Sequence, residues 1–364
     1  MKKYFKKTSH ILILTNTLKT GGAEKQSILL YNALSHYYST KLIVYYGDQK
    51  DKRMIDLLDN KSDNVIFLKG NHFNKLLFLY RFFKSNPNSI CISYLATTNF
   101  INGIVGKLSG IKIRIGGIRS SRYGFLKFYL QRHLYNHWLS GSVFNNYLAF
   151  NTLTSKGFNN KKGRVIYNSI LVPEYNYFTS PNNSITILSV GRFVEAKDYF
   201  TALQAIKILI RKGKSIKYII VGQGHLEKEL RFFINKNQLN TTIELVINPP
   251  NVEKFYSESD IYLSTSIFEG MSNSIMEAMS YGLPVVATDV GDNKILIHDK
   301  ETGFLVKPKE VIEIAERLEL LINNSDLRKK MSNNGYQFIK SNFSIEKFRD
   351  NYINLFEELL NENR

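Results

Sequence analysis

The sequence predicts an α/β protein built from two doubly wound, parallel-sheet domains, and three observations carry that prediction. Short apolar strand-like runs alternate with amphipathic helix-like runs along the 364 residues, the pattern of a parallel sheet covered on both faces. The alternation breaks off near residue 115 and restarts at residue 185. Ahead of the restart lies a polar stretch, residues 173–183, bracketed by Pro173 and Pro181, which reads as a domain boundary.

The first strand spans residues 10–16, where Ile11, Leu12, Ile13 and Leu14 form an unbroken apolar run, and a helix follows over 24–34. The unit repeats as 41–46 with 54–58, 65–68 with 74–83, and 90–94 with 100–109; a strand over 112–115 follows. In the second half, strand 185–190 ends at Gly191 and precedes helix 200–212. Strand 217–221 leads through Gly222-Gln223-Gly224 to helix 226–235, and strand 242–246 leads through Asn248-Pro249-Pro250 to a short helix over 252–257. Strand 260–265, helix 274–280 and strand 284–288 complete the set, and helices over 311–323, 325–343 and 345–361 close the chain. Domains wound this way place a ligand at the C-terminal ends of their strands.

Composition narrows the partners. The net charge of +18 is uneven: residues 1–170 hold 26 Lys and Arg against 6 Asp and Glu, a net +20, whereas residues 171–364 hold 23 against 25. No acidic residue occurs from 64 to 173, so this half should meet something anionic: a membrane surface, a phosphorylated lipid or a nucleic acid. The single cysteine, Cys91, excludes an internal disulfide and fits a reducing setting. No segment approaches the roughly 20 apolar residues of a membrane helix. The basic start Met1-Lys2-Lys3-Tyr4-Phe5-Lys6-Lys7 is followed by an apolar run of only Ile11 to Leu14, shorter than an export core.

Four places can carry chemistry. Thr20-Gly21-Gly22-Ala23-Glu24 follows the first strand and opens a helix. Its glycines admit a ligand to the backbone and its helix start favours a phosphate, although any fold of this class needs such a turn. Gly191-Arg192, with Lys197 nearby, puts two cations at a strand end, suited to a diphosphate and to the charge on a leaving nucleotide; the bland reading is surface charge beside a loop. Gly222-Gln223-Gly224 lacks the third glycine of a dinucleotide fingerprint, position 227 being Glu, and reads as a turn near the site. The fourth, Glu269-Gly270-Met271-Ser272-Asn273-Ser274-Ile275-Met276-Glu277, runs from a strand into a helix. Carboxylates eight positions apart, one on the loop and one in the first helical turn, can face one cleft and accept hydrogen bonds from the hydroxyl pairs of a sugar or ribose. The loop amides suit a phosphate or sugar oxygen. Ser274-x-x-Glu277 is equally a capping box, and spacing alone slightly favours the cap.

These residues resemble glycosyltransferase family four. The resemblance rests on residues 269–291, on Val190-Gly191-Arg192-Phe193 with Lys197-Asp198, on Gly21-Gly22-Ala23-Glu24, and on Val165-Ile166-Tyr167-Asn168 and Thr302-Gly303-Phe304-Leu305-Val306 in the expected order. It implies the GT-B architecture, two Rossmann-like domains facing a central cleft, and transfer of sugar from a nucleotide donor with retention. It implies an acceptor-side domain over 1–172, a donor-binding domain over 173–343, and a last helix, within 344–364, crossing back to the first. By analogy Arg192 and Lys197 hold the diphosphate and Glu277 the ribose hydroxyls. Glu269 lies beside the donor sugar, Gly270, Met271, Ser272, Asn273 and Ser274 contact sugar or phosphate, and Gly21, Gly22 and Gly191 allow close approach. No metal or other cofactor is implied, and no DxD triplet occurs. The family's histidine near the donor sugar has no counterpart in Leu95-Ala96-Thr97-Thr98-Asn99 or Arg119-Ser120-Ser121-Arg122, so no general base is assigned; the leaving phosphate can accept the proton.

Two basic, aromatic stretches, 73–84 and 122–138, read either as amphipathic helices over the first sheet or as membrane-interface helices. The expectation is a cytoplasmic enzyme, peripheral on the inner face of the plasma membrane. It transfers a hexosyl or N-acetylhexosaminyl residue, from UDP by default, to a saccharide acceptor on a polyprenyl diphosphate, in O-antigen, capsule or related glycan synthesis. The runners-up are a soluble transferase with a non-lipid acceptor and a catalytically inactive subunit. A nicotinamide-dependent dehydrogenase lacks its full glycine fingerprint, and no nucleic-acid-binding module is visible.

Overall fold

The computed structural model describes residues 10–19, 21–59, 64–120, 123–174 and 184–362. The basic start, Thr20, Ser121, Arg122 and most of the polar stretch 173–183 lie outside the described residues. The chain divides into two compact units, Met1–Ser169 with Ile345–Arg364, and Ile170–Ser344.

The first unit opens with β1 (Ile11–Thr15), α1 (Gly22–Ser35), β2 (Thr40–Val44), α2 (Lys52–Asp56), β3 (Val65–Phe67) and α3 (His72–Lys84). It continues through β4 (Ile90–Tyr94), α4 (Ala96–Leu108), β5 (Ile113–Ile118), α5 (Phe125–His133), β6 (Gly141–Phe144), α6 (Tyr147–Thr154) and β7 (Gly163–Val165). Its sheet is parallel, in the order 3-2-1-4-5-6-7. The second unit starts with β8 (Ile185–Val190), α7 (Tyr199–Arg211), β9 (Ile216–Gly222), α8 (Glu227–Lys236), β10 (Ile243–Ile247) and α9 (Glu253–Ser257). It ends with β11 (Ile261–Ser264), α10 (Asn273–Ser280), β12 (Val285–Thr288), α11 (Asn293–Leu296), β13 (Gly303–Val306), α12 (Val311–Asn323) and α13 (Ser325–Phe343). Its sheet is parallel too, in the order 10-9-8-11-12-13. The fold class is therefore the one expected, two Rossmann-like parallel-sheet units.

Strands β1 and β4 are buried at every position, which is why they read as continuous apolar runs rather than alternating ones. Side chains cap several helices: Asn71 accepts from Asn74 N at 2.9 Å, Asn146 from Ala149 N at 2.7 Å, and Asn324 from Leu327 N at 2.9 Å. The final helix, α14 (Ile345–Glu362), belongs to the first unit. It turns Phe348, Tyr352, Leu355, Phe356 and Leu359 into the core that also holds α1 and β1, one helical stripe, and Arg164 pairs with Glu358 on it. No helix among the described residues is long and apolar enough to cross a membrane.

The strand count is corrected upward. Periodicity ended the first sheet at residue 115 and the second at 288, whereas the structure adds β6 and β7 to the first and β13 to the second. These strands are only three or four residues long and each begins with glycine, too short for a period to register.

Both strand orders reverse beside the first strand of the unit, between β1 and β4 and between β8 and β11. Crevices of this kind, at the carboxyl ends of the strands, are where open α/β sheets bind ligands. Most of the anticipated site residues fall at the second reversal.

Candidate active site

β8 ends in the turn Gly191-Arg192-Phe193. Its backbone is fastened on one side to the end of β9: Gly191 N donates to Val221 O at 2.9 Å and Phe193 N to Gln223 O at 2.8 Å, while Phe193 O accepts from Leu226 N at 3.2 Å. A Cβ on Gly222 would stand 1.9 Å from Gly191 O, and one on Gly224 would stand 2.3 Å from Phe193 O. The Gly222-Gln223-Gly224 segment is thus more than a nearby turn. Its glycines let two backbones touch so that Arg192 is aimed from a fixed base. The Phe193 ring is buried edge-on against Tyr199, 5.5 Å between centroids. Arg192 itself is exposed, and among the described residues its guanidinium makes no ion pair.

The next loop, ending in the short helical turn Glu195–Lys197, is clipped to the end of β11. Thr265 Oγ1 donates to Lys197 O at 3.1 Å and to Asp198 O at 2.9 Å, and Ile267 N donates to Ala196 O at 2.9 Å. Asp198 occupies the left-handed region, φ 43°, and its carboxylate accepts from Thr201 Oγ1 at 2.7 Å. Lys197 Nζ donates to Glu269 Oε1, which also accepts from Ser266 Oγ at 2.9 Å. Two residues anticipated as separate contacts are therefore an ion pair, with side chains 20% and 14% exposed.

The loop carrying Glu269 is strapped to the strand beyond it. Asp292 N donates to Gly270 O at 2.8 Å, and Thr288 Oγ1 donates to Ser266 O at 2.5 Å. Gly291 sits at φ 58°, and a Cβ there would come within 2.4 Å of Glu269 O, so this position needs glycine for its conformation and for its space. Met271 and Ser272 are buried, and Ser272 Oγ lies 3.2 Å from Ser274 Oγ.

α10 begins at Asn273 with Ser272 as its N-cap. This overturns the capping-box reading: Ser274 is already inside the helix, and Glu277 lies beyond the first turn rather than in it. Helix starts leave their first amides without intrahelical acceptors and attract anions. Glu277 Oε2 instead accepts from Tyr256 OH at 3.1 Å. Tyr256 is buried, stacked on Tyr281 with centroids 5.7 Å apart and 6.0 Å from Tyr262. Burial first, and the adjacent Glu277 carboxylate second, hold the Tyr256 phenol well above its ordinary pKa, so it stays a donor. Tyr262 OH in turn accepts from Val190 N at 3.3 Å and donates to Val190 O at 3.2 Å, which joins α10's surroundings to the end of β8.

Gly191, Arg192, Lys197, Glu269, Gly270, Met271, Ser272, Asn273, Ser274 and Glu277 all belong to one end of the second unit's sheet. Gly21 and Gly22 belong to the first unit, where Gly21 caps α1 after β1. Glu24 folds back over Gly21, so a Cβ on Gly21 would meet Glu24 Oε2 at 2.3 Å, and Thr17 Oγ1 donates to Glu24 Oε1 at 3.1 Å. Beside it, at the end of β4, Leu95 adopts φ 75° and ψ 162°, a conformation almost confined to glycine and typical of functional strand ends. Arg119, directly after β5, lies over the Tyr94 ring at 4.7 Å and donates to Asn168 Oδ1 at 2.7 Å. His133 and His137 lie on the exposed surface with their rings tilted, centroids 4.7 Å apart. Among the described residues no group of three or more His, Cys, Asp or Glu side chains is arranged to hold a metal ion.

Sequence reasoning missed Tyr256, Tyr262, Thr265, Ser266 and Thr288. Each lies in or beside a buried strand or short helix, where its hydroxyl gives no periodic signal.

Residues 176–338 match the family model described as Glycosyl transferases group 1. The chain is 24% identical over 363 residues, 96% of its length and 99% of the relative's, to a Campylobacter jejuni enzyme. That relative is named GalNAc-alpha-(1->4)-GalNAc-alpha-(1->3)-diNAcBac-PP-undecaprenol alpha-1,4-N-acetyl-D-galactosaminyltransferase. This chain is also 28% identical over 193 residues, 52% of its own length and 50% of the relative's, to the capsular polysaccharide biosynthesis glycosyltransferase CapM of Staphylococcus aureus. Among solved structures, Anabaena HepE in complex with UDP shares the fold with a TM-score of 0.81 at 17% identity, over 96% of this chain and 99% of that one. The chain is a glycosyltransferase, and residues 176–338, the part that the group 1 model matches, hold the whole constellation from Gly191 to Glu277.

Proposed function

We propose that the chain transfers a hexosyl or N-acetylhexosaminyl residue, with retention, from a UDP-sugar to a saccharide carried on a polyprenyl diphosphate, during assembly of a bacterial surface glycan. The observation that carries this is the set of Arg192, the Lys197–Glu269 pair and Glu277 at the β8/β11 reversal. Cations, a hydroxyl-accepting carboxylate and a helix start meet there, as a nucleoside diphosphate sugar requires. UDP as the nucleotide is supported by the HepE complexes with UDP and UDP-glucose. The lipid-linked acceptor is supported by the undecaprenol diphosphate in the name of the Campylobacter relative.

In this reading the second unit holds the donor and the first the acceptor. Glu277, oriented by Tyr256, accepts from the ribose hydroxyls. Arg192 meets the diphosphate, and Lys197 moves from Glu269 to a phosphate oxygen. Glu269, released, accepts from hydroxyls of the donor sugar, and the amides from Gly270 to Ser274 face sugar or phosphate. The anomeric C–O bond to the β-phosphate breaks while the acceptor oxygen bonds the same face of that carbon. The acceptor's proton passes to the leaving phosphate, which Arg192 and Lys197 neutralise, so UDP departs without a protein base. The reading needs no metal, and it puts the enzyme at the cytoplasmic face of the plasma membrane.

Thermal unfolding with UDP, GDP, ADP and NAD, without added metal, tests it. At about 100 times its dissociation constant a ligand adds roughly 2.7 kcal/mol to stability. UDP should raise the melting temperature and Glu277→Ala should abolish the rise. Stabilisation by NAD alone would overturn the reading.

A further inference from the structure

Helix α5 exposes what a soluble protein ordinarily hides. Phe125 is 81% exposed, Leu126 72%, Leu130 49% and Tyr129 44%. At spacings of one, four and five these four side chains share one face. The opposite side holds the helix to the first unit: Gln131 is buried, and the Phe128 ring packs on Phe158 with centroids 5.7 Å apart. Leu108 and Ile104 of α4 are also exposed, 69% and 39%. Lys107 of the same helix sits 5.0 Å above the ring of Trp138, in the turn that continues α5.

Charge says what covers this face. α5 carries Lys127, Arg132 and His133 and no acid, and it lies within residues 64–173, which contain no acid at all. The guanidinium of Arg132 itself lies over the Tyr129 ring at 5.0 Å and the Phe128 ring at 5.9 Å and donates to Lys156 O at 3.5 Å, which sets a cation beside the aromatics. Large apolar groups on a helix whose charged side chains are all cationic match the boundary between anionic headgroups and acyl chains. An acidic protein would match the charge but not require Phe125 and Leu126 to stand so far out.

We propose that α5 is an interfacial anchor: Phe125, Leu126, Tyr129 and Leu130 enter the headgroup–acyl boundary of an anionic leaflet, and Lys127 and Arg132 lie among the lipid phosphates. The inference deepens the proposed function, and rests on it only for the reason that the first unit should approach a lipid-linked acceptor. One helix of nine residues gives reversible attachment, which lets the enzyme leave after each transfer.

Co-sedimentation of the full chain with phosphatidylcholine vesicles, with and without phosphatidylglycerol, tests the anchor. Wild type should bind only the anionic vesicles, and less so as salt is raised. Phe125→Ser with Leu126→Ser should cut that binding by about tenfold or more while keeping the wild-type response to UDP, because both side chains are exposed. An independent variant, Phe125→Trp, should gain blue-shifted emission on anionic vesicles that wild type, with Trp138 alone, lacks. Undiminished binding by the double variant, or no emission shift for Phe125→Trp, overturns the anchor. So does a wild-type dimer that the double variant splits without any vesicle binding, since the face would then serve a second copy. Failure of the proposed function reads out separately, as vesicle binding by a protein that transfers sugar from no UDP-sugar, even to a water-soluble acceptor.

Discussion

Glu277 accepts a hydrogen bond from a phenol 21 positions earlier in the chain. A carboxylate that accepts from Tyr256 through one oxygen presents the other in a fixed direction, and fixed direction is what discriminates a pair of ribose hydroxyls. Tyr256→Phe removes one hydrogen bond to a charged group and leaves the stacking on Tyr281. It should weaken UDP binding by about tenfold, on the order of 1.4 kcal/mol, and weaken 2′-deoxy-UDP less. Calorimetric titration of both nucleotides checks this, and equal losses for the two would show that Tyr256 acts on overall folding only. At this scale the sequence disclosed the charged half of the site. Glu269 and Glu277 were legible because a loop and a helix start place two carboxylates within one short window. The hydroxyls that aim them were not, because Tyr256, Ser266 and Thr288 meet their partners only after separate strands come together.

Among the elements, the two turns at the ends of β8 and β9 act as one piece. Gly224 lets the β9 turn lie against the backbone of Phe193, so Gly224→Ala must push that turn, and Arg192 with it, out of place. The expected loss is roughly 1–3 kcal/mol of stability, together with most of the UDP response, read from the same melting experiment. A variant that melts and binds UDP like wild type would show that this contact does not position Arg192. The long elements were legible because their apolar runs or stripes span several periods, as in β1, β8 and α12. β6, β7 and β13 were not, being too short to show a period, and Gly163 enters its strand only because Phe150 and Tyr135 leave no room for a Cβ. The cap of α10 was misplaced by two residues for a related reason: both Ser272 and Ser274 suit a cap, and only the fold chooses between them.

For the molecule as a whole, buried tyrosines set its alkaline limit. Tyr94, Tyr199, Tyr218, Tyr256 and Tyr262 all have phenols raised above the ordinary value of 10.0, burial being the first cause in each. In the unfolded chain these groups ionise from about pH 10, whereas in the fold they stay neutral. Their contribution is therefore complete below pH 10 and is lost as pH climbs from there toward the folded-state values. Stability should fall by up to ~1.4 kcal/mol per pH unit for each such tyrosine. The part of the tyrosinate absorbance left after the exposed rings have ionised should rise together with the loss of circular dichroism; its completion well before unfolding would show that the buried rings titrate in the native state. The charge asymmetry between the halves was legible from composition alone. That it coincides with an outward apolar face on α5 was not, since an amphipathic stretch does not reveal which of its sides the protein covers.

The place of α14 has a consequence for how the protein is born. The core around β1 and α1 takes Phe348, Tyr352, Leu355 and Phe356 from a helix that emerges from the ribosome only after the 175 residues of the second unit, Ile170–Ser344. At about 5–20 residues per second that is a wait of roughly 9–35 s. Throughout it the earliest part of the nascent chain carries a greasy, unfinished flank, a natural client for chaperones, while the later-made half can already have closed around its own core.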